Sequence, residues 1–270
     1  MTDNDAESSR GKIGWLARAA QTADRIAILF EPCGRRYFWL VSALVIGGLP
    51  VALSIWTNVP GHQLISALLL SALCLGLART DRWIAGISAI TVAFVAHSLV
   101  VILLVPNDRA KVDRLFPRAG EYWDKQQVWI KSGEDPEYEL KNWVPAHVTL
   151  FAGTTLFSFS SFGVVTFHDG FVQVDMMNYY NAMMARESKS AFRSFSFGWH
   201  IWSMLRGIGY VFITFEMISL ALQVCSRRVI SEWKTRRWRW LFGIVFLVMD
   251  GLIKAFALEA VRVRLFENLL

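Results

Sequence analysis

The chain has 270 residues, 54% of them hydrophobic and 19% charged, and several apolar runs reach or approach the about 20 residues a helix needs to cross hydrocarbon. These runs are continuous, not alternating, which excludes a transmembrane β-barrel and leaves an all-α, polytopic transmembrane helix bundle of five to six spans with interfacial amphipathic helices. The net charge of +6 is gathered beside the apolar runs, which suits anionic lipid headgroups and argues against nucleic acid as a partner.

Residues 1–36 form an N-terminal amphipathic segment. The opening MTDNDAESSRGK has no apolar core with a small-residue cleavage site, so no removed leader is expected. Over 9–31, Ile13, Leu16, Ala20, Ala23 and Ala27 recur at helical spacing with Lys12, Arg18 and Arg25 on the flanks. This reads as a helix lying at the interface or as a solvated cap.

The first transmembrane group covers 37–105. Its first span, about 37–56, contains IGGLP, where Gly47, Gly48 and Pro50 are expected to weaken or kink the helix. The run 62–78 follows Pro60-Gly61 and has no acid, lysine or arginine, so it either crosses or dips in and returns. The run 83–105 is the clearest span, bounded by Arg79, Asp81 and Arg82 and by Pro106-Asn107-Asp108. Residues 106–143 are a polar, water-facing insert with one amphipathic helix around 119–130.

The second transmembrane group covers 144–270. Apolar character holds from Trp143 to Phe167, with Ser, Thr and Gly suited to close helix packing. Residues 168–195 place Phe171, Val174, Met177, Tyr180 and Met184 at helical spacing but are too polar to span, which predicts an interfacial or re-entrant helix. GWHIWSMLRGIGYVFITFEMISLAL, 198–222, is a span. SRRVISEWKTRRWRW is a basic linker, and the last span covers about 240–257. Trp39, Trp56, Trp83, Trp143, Trp199, Trp202, Trp238 and Trp240 fall near span ends, at headgroup level. With all six runs crossing, Lys and Arg divide evenly between the two sides. A re-entrant 62–78 restores a positive-inside bias, which predicts five crossings and a cytoplasmic insert.

Ionisable residues inside a span cost roughly 2.5–3.5 kcal/mol each and need a partner, a cavity or a pathway. Arg206 is near enough to the Trp199 interface to snorkel, but Glu216 is not. Asp250 and Lys254 are spaced i, i+4 with the acid first, the favourable order for an intrahelical pair. If the last two spans pack antiparallel, Arg206, Asp250, Lys254 and Glu216 join one intramembrane polar network that fixes the packing or lines a polar path. Gly207-Ile208-Gly209 allows another backbone to approach.

His168, Asp169, Asp175 and His200 are secondary polar sites, with Asp169 and Asp175 read as helix caps. His97, His147 and His200 sit in different apolar segments, and no metal site or cofactor is expected. Cys33, Cys74 and Cys225 form neither a C-x-x-C pair nor a disulfide framework. H-E-x-x-H, G-x-S-x-G and the phosphate-binding loop are absent from the sequence, and no enzymatic role is expected.

HDGF at His168 to Phe171 and GLIKAF at Gly251 to Phe256 give the second half of the chain a resemblance to the stage II sporulation protein M family of small bacterial membrane proteins. In that family an amphipathic helix precedes a span, a short N-G turn and further spans, and a GLIEAF-like signature sits in the last one. This chain departs from the pattern in VQVDMMNYY, which replaces a Gly/Ala-rich continuation, and no H-G-x-x-E follows His200. The resemblance implies a non-enzymatic component of a bacterial cytoplasmic (inner) membrane. Two functions remain: a component organising membrane or partner proteins, through protein partners or self-association in the lipid bilayer, and a transporter or permease subunit with a charged intramembrane path.

Overall fold

The computed structural model describes residues 18, 21–32, 37–133, 140–226 and 233–269. Residues 1–17, 19–20, 33–36, 134–139, 227–232 and 270, which include most of the N-terminal segment and part of the basic linker, lie outside the described residues. All regular structure among those described is helical: α1 over 21–30, then α2 Phe38–Thr57, α3 His62–Arg79, α4 Trp83–Leu104, α5 Arg109–Leu115, α6 Ala119–Ser132, α7 Leu140–Ser160, α8 Val164–Glu187, α9 Ala191–Gly198, α10 Ile201–Cys225 and α11 Trp233–Leu269. Five are long and apolar enough to cross a membrane: α2, α3, α4, α10 and the Arg236–Leu269 part of α11. The protein is an all-α membrane helix bundle.

α2 runs unbroken through Pro50, which would otherwise leave the Ile46 carbonyl without its helical donor. The Ser66 hydroxyl on α3 supplies the missing bond, 2.9 Å from that oxygen. Gly47 is a crossing point and not a weak spot. A Cβ there would stand 2.0 Å from the Ala93 carbonyl oxygen, so even alanine would force α2 and α4 apart.

The predicted re-entrant run at 62–78 is instead one continuous helix, α3. A dip and return needs a break in mid-run, and none occurs. At about 1.5 Å per residue its 18 residues make a rod of about 27 Å. Its polar residues Gln63, Ser66 and Ser71 are buried against neighbouring helices.

The chain reverses instead at 161–163, where Phe162 and Gly163 both take positive φ (53° and 89°). The Ser71 hydroxyl donates to the Phe162 carbonyl and pins this turn to α3. Beyond it α8 folds back along α7, with Ser158 and Thr166 hydroxyls 2.9 Å apart. The segment expected at the interface, 168–195, therefore begins inside the bundle: α8 packs on α3, α4 and α6 and buries Phe167, Phe171, Asp175, Asn178 and Tyr180. The positive-inside count gives 143–167 one crossing and keeps 168–195 on one face, a premise that the α7–α8 hairpin removes.

Two apolar cores stack along the bundle. One joins α1, α2, α3, α4, α8 and α10 around Leu70, Leu73, Ile90, Phe167, Phe171 and Phe215. The other joins the far ends of α2, α4 and α8 to α5, α6 and the end of α11 around Val101, Phe116, Trp123, Trp129, Tyr180 and Leu265. On the exposed side of the second core, Arg109 bridges Asp113 and Asp124, which hold its guanidinium above its usual range. The residues read as a basic linker belong in part to α11, which starts at Trp233 and not at 240.

Candidate functional site

Between the two cores lies a polar group built from four helices. His62 opens α3, directly after Gly61, whose φ of 112° turns the chain into the helix. Ser54, in the last turns of α2, donates its hydroxyl hydrogen to the Val59 carbonyl at 2.5 Å. Its oxygen can then only accept, so the His62 Nδ1 at 3.1 Å carries a hydrogen, and Nε2 is the ring atom that faces inward. That Nε2 lies 3.1 Å from Asp175 Oδ2 on α8. From α4, His97 Nε2 reaches Asp175 Oδ1 at 2.6 Å. Gln63 Nε2 donates to Asp175 Oδ2 at 2.8 Å and to the Leu115 carbonyl at 3.1 Å, tying the site to the end of α5.

The side chains of His62, His97 and Asp175 are fully buried. Phe171 lies against His97 on one side, with ring centroids 4.8 Å apart, and Phe94 stacks on Phe171. Phe116 meets His62 edge-on from the other side. Each imidazole of the group is thus packed against a phenylalanine ring. A carboxylate this deep is tolerable only if its oxygens are bonded; Gln63 and His97 each point an N–H at it, while His62 turns its unprotonated Nε2 toward the same carboxylate.

Asp175 has further polar company along α8. Asn178 and Asn181 follow at three-residue steps, both buried, leading toward the end of the bundle where Gln126 and His200 are also buried. Asn181 donates to the Met177 carbonyl, whereas the Asn178 amide nitrogen has no hydrogen-bond partner among the described residues. A second polar cluster joins the hydroxyls of Ser158, Thr166 and Thr214 across α7, α8 and α10.

The four charged residues singled out in the sequence fall into separate places. Arg206 and Asp250 form a two-pronged pair, Nε to Oδ2 at 2.8 Å and Nη2 to Oδ1 at 3.2 Å. His147 of α7 stands 3.5 Å from the same carboxylate. Lys254 is half-buried one turn further along α11, near His200. Glu216 is not in this network. Its Oε1 accepts from Arg239 Nη1 at 2.9 Å, with both side chains buried, and the Arg239 guanidinium lies 4.6 Å over the Trp83 ring. The close backbone approach of α10 and α11 occurs at Gly209, where a Cβ would be 2.9 Å from the Gly243 carbonyl oxygen, and not at Gly207.

His168 and Asp169 are exposed, and Asp175 lies well inside α8 and does not cap it. His200 is buried among the rings of Trp129, Tyr180 and Trp202. Of His97, His147 and His200, which lie in different apolar segments, none meets another among the described residues, but His97 converges with His62 on Asp175. The sequence reading missed His62, Gln63, Ser54 and Arg239. The available signal for the first two was a pair of polar residues opening an otherwise apolar run. For Arg239 it was a cation between two tryptophans, Trp238 and Trp240. No family model matches the chain, and no curated protein or solved structure matches it.

Proposed function

We propose that the protein is a permease-like transport component that passes a small cationic solute through its helix bundle, in a bacterial cytoplasmic membrane. The observation that carries this reading is the fully buried His62–Asp175–His97 group with Gln63, at the centre of the bundle and continued by Asn178 and Asn181. Polar groups at this depth are costly and mark pathways more often than packing. The Arg206–Asp250 and Glu216–Arg239 pairs join α10 to α11 and serve packing. The bacterial placement rests on the resemblance to the stage II sporulation protein M family.

The test is flux into proteoliposomes loaded with a pH-sensitive dye or a divalent-cation-sensitive dye. Wild-type protein is expected to move one of the two signals, and Asp175→Asn to reduce that response at least tenfold while still inserting. Silence of both dyes with inserted wild-type protein would sink the transport reading.

A second reading, a non-catalytic component that organises membrane or partner proteins, draws support from α11, whose Leu241, Phe242, Val245, Val248, Leu252 and Phe256 are all exposed. Mass determination of the intact complex after gentle detergent extraction separates the two. A stoichiometric non-transport partner, or self-assembly, is what the second reading expects. A bound ATPase or permease subunit is what the first expects.

A further inference from the structure

One ring nitrogen each of His62 and His97 and a carboxylate oxygen of Asp175 lie within 4.8 Å of one another, delivered by three different helices, and both histidines reach Asp175 through Nε2. A tetrahedral zinc-type ion with bonds of about 2.0–2.1 Å holds its ligand atoms about 3.3 Å apart, so the widest pair need close by only about 1.5 Å. We propose that His62, His97 and Asp175 bind a divalent first-row transition-metal ion of the zinc class, with a fourth position open toward Gln63. This deepens the transport reading by naming its solute, and rests on that reading only for the claim that the ion moves.

The donor set selects the class. Two imidazoles are poor partners for Ca²⁺ or Mg²⁺, which take oxygen ligands, and among the described residues no cysteine joins the group to favour Cu⁺. Charge points the same way. Asp175 brings a negative charge into apolar surroundings where its neighbours are two imidazoles and an amide, and a divalent cation supplies the opposite charge.

The orientation is also set in advance. Ser54 accepts the His62 Nδ1 hydrogen, which fixes the ring and leaves Nε2 for an ion, the usual arrangement behind a metal-binding histidine. His97 Nδ1 has no partner among the described residues, so His62 is the better held of the two. Gln63 already touches Asp175, and a half-turn of its terminal torsion would present the amide oxygen in place of the nitrogen.

The test is titration of chelator-stripped, detergent-purified full-length protein with Co²⁺, followed by visible absorption and by X-ray absorption of the bound ion. The expected result is one Co²⁺ per chain, displaced by Zn²⁺, with imidazole scattering. Binding should weaken at least tenfold in both His62→Gln and His97→Gln, each checked for monodisperse elution. Monodisperse wild-type protein that binds no Co²⁺, an adduct with oxygen scattering alone, or affinity unchanged in both variants overturns the proposal. If the variants do not fold, the scattering of the wild-type adduct decides by itself. Binding without flux in proteoliposomes keeps the site and removes the transport reading, whereas dye-reported flux by protein that binds no Co²⁺ does the reverse.

Discussion

Asp175→Leu is expected to be among the most damaging single substitutions in the bundle, lowering stability by about 3–5 kcal/mol. The carboxylate accepts from Gln63 Nε2 and His97 Nε2, neither of which can reach water, and also lies against the buried His62 Nε2. Each donor left without an acceptor costs about 1–3 kcal/mol. The total falls short of two full penalties at their upper limit, because His97 can move its hydrogen to the other ring nitrogen. Asp175→Asn retains one acceptor oxygen and should lose only about 1–2 kcal/mol. Tryptophan-fluorescence melts in detergent read both. A leucine variant as stable as wild type would mean that the carboxylate does not hold the four helices at this level.

The second large effect concerns Glu216 and Arg239, whose side chains are 1% and 7% exposed. Arg239→Leu strands a buried carboxylate, and Glu216→Leu strands a buried guanidinium; each is expected to cost about 3–5 kcal/mol. Removing both charges together should be nearly neutral or mildly stabilising, because a buried ion pair repays little beyond its own desolvation. The contact of Arg239 with the Trp83 ring, about 0.5–2 kcal/mol, is lost in the double variant and sets it toward the neutral end of that range. A double-mutant cycle on thermal melts measures the coupling. Strictly additive losses would show that the two residues do not act as a pair.

The contrast between these sites explains what could be read in advance. Span positions depend on local composition, and the tryptophan-marked ends of α2, α4 and α10 lie where the sequence predicts them. The Arg206–Asp250 pairing needed one extra idea, that two helices with a short connection run antiparallel. The roles of α3 and α8 are hidden because composition alone shows a helix as facing lipid or water. In fact Gln63, Ser66, Asp175 and Asn178 are buried against other helices. The partner of each polar residue lies far along the chain: 113 positions separate His62 from Asp175, and 78 separate His97 from it. Spacing cannot encode contacts of that range. Arg239 was lost for a simpler reason, since a run of cations reads as a solvated linker until a helix is seen to begin at Trp233.

The bond from Ser66 to the Ile46 carbonyl bears on biogenesis. Pro50 denies that carbonyl its helical donor, and an unpaired carbonyl in hydrocarbon costs several kcal/mol. α2 on its own is therefore a poor guest for lipid, although it is one of the most apolar helices in the chain. The hydroxyl that completes it arrives on the next helix, after only a four-residue connection at 58–61. The first two helices should leave the translocation machinery as a pair, with α2 retained at the exit until α3 has emerged.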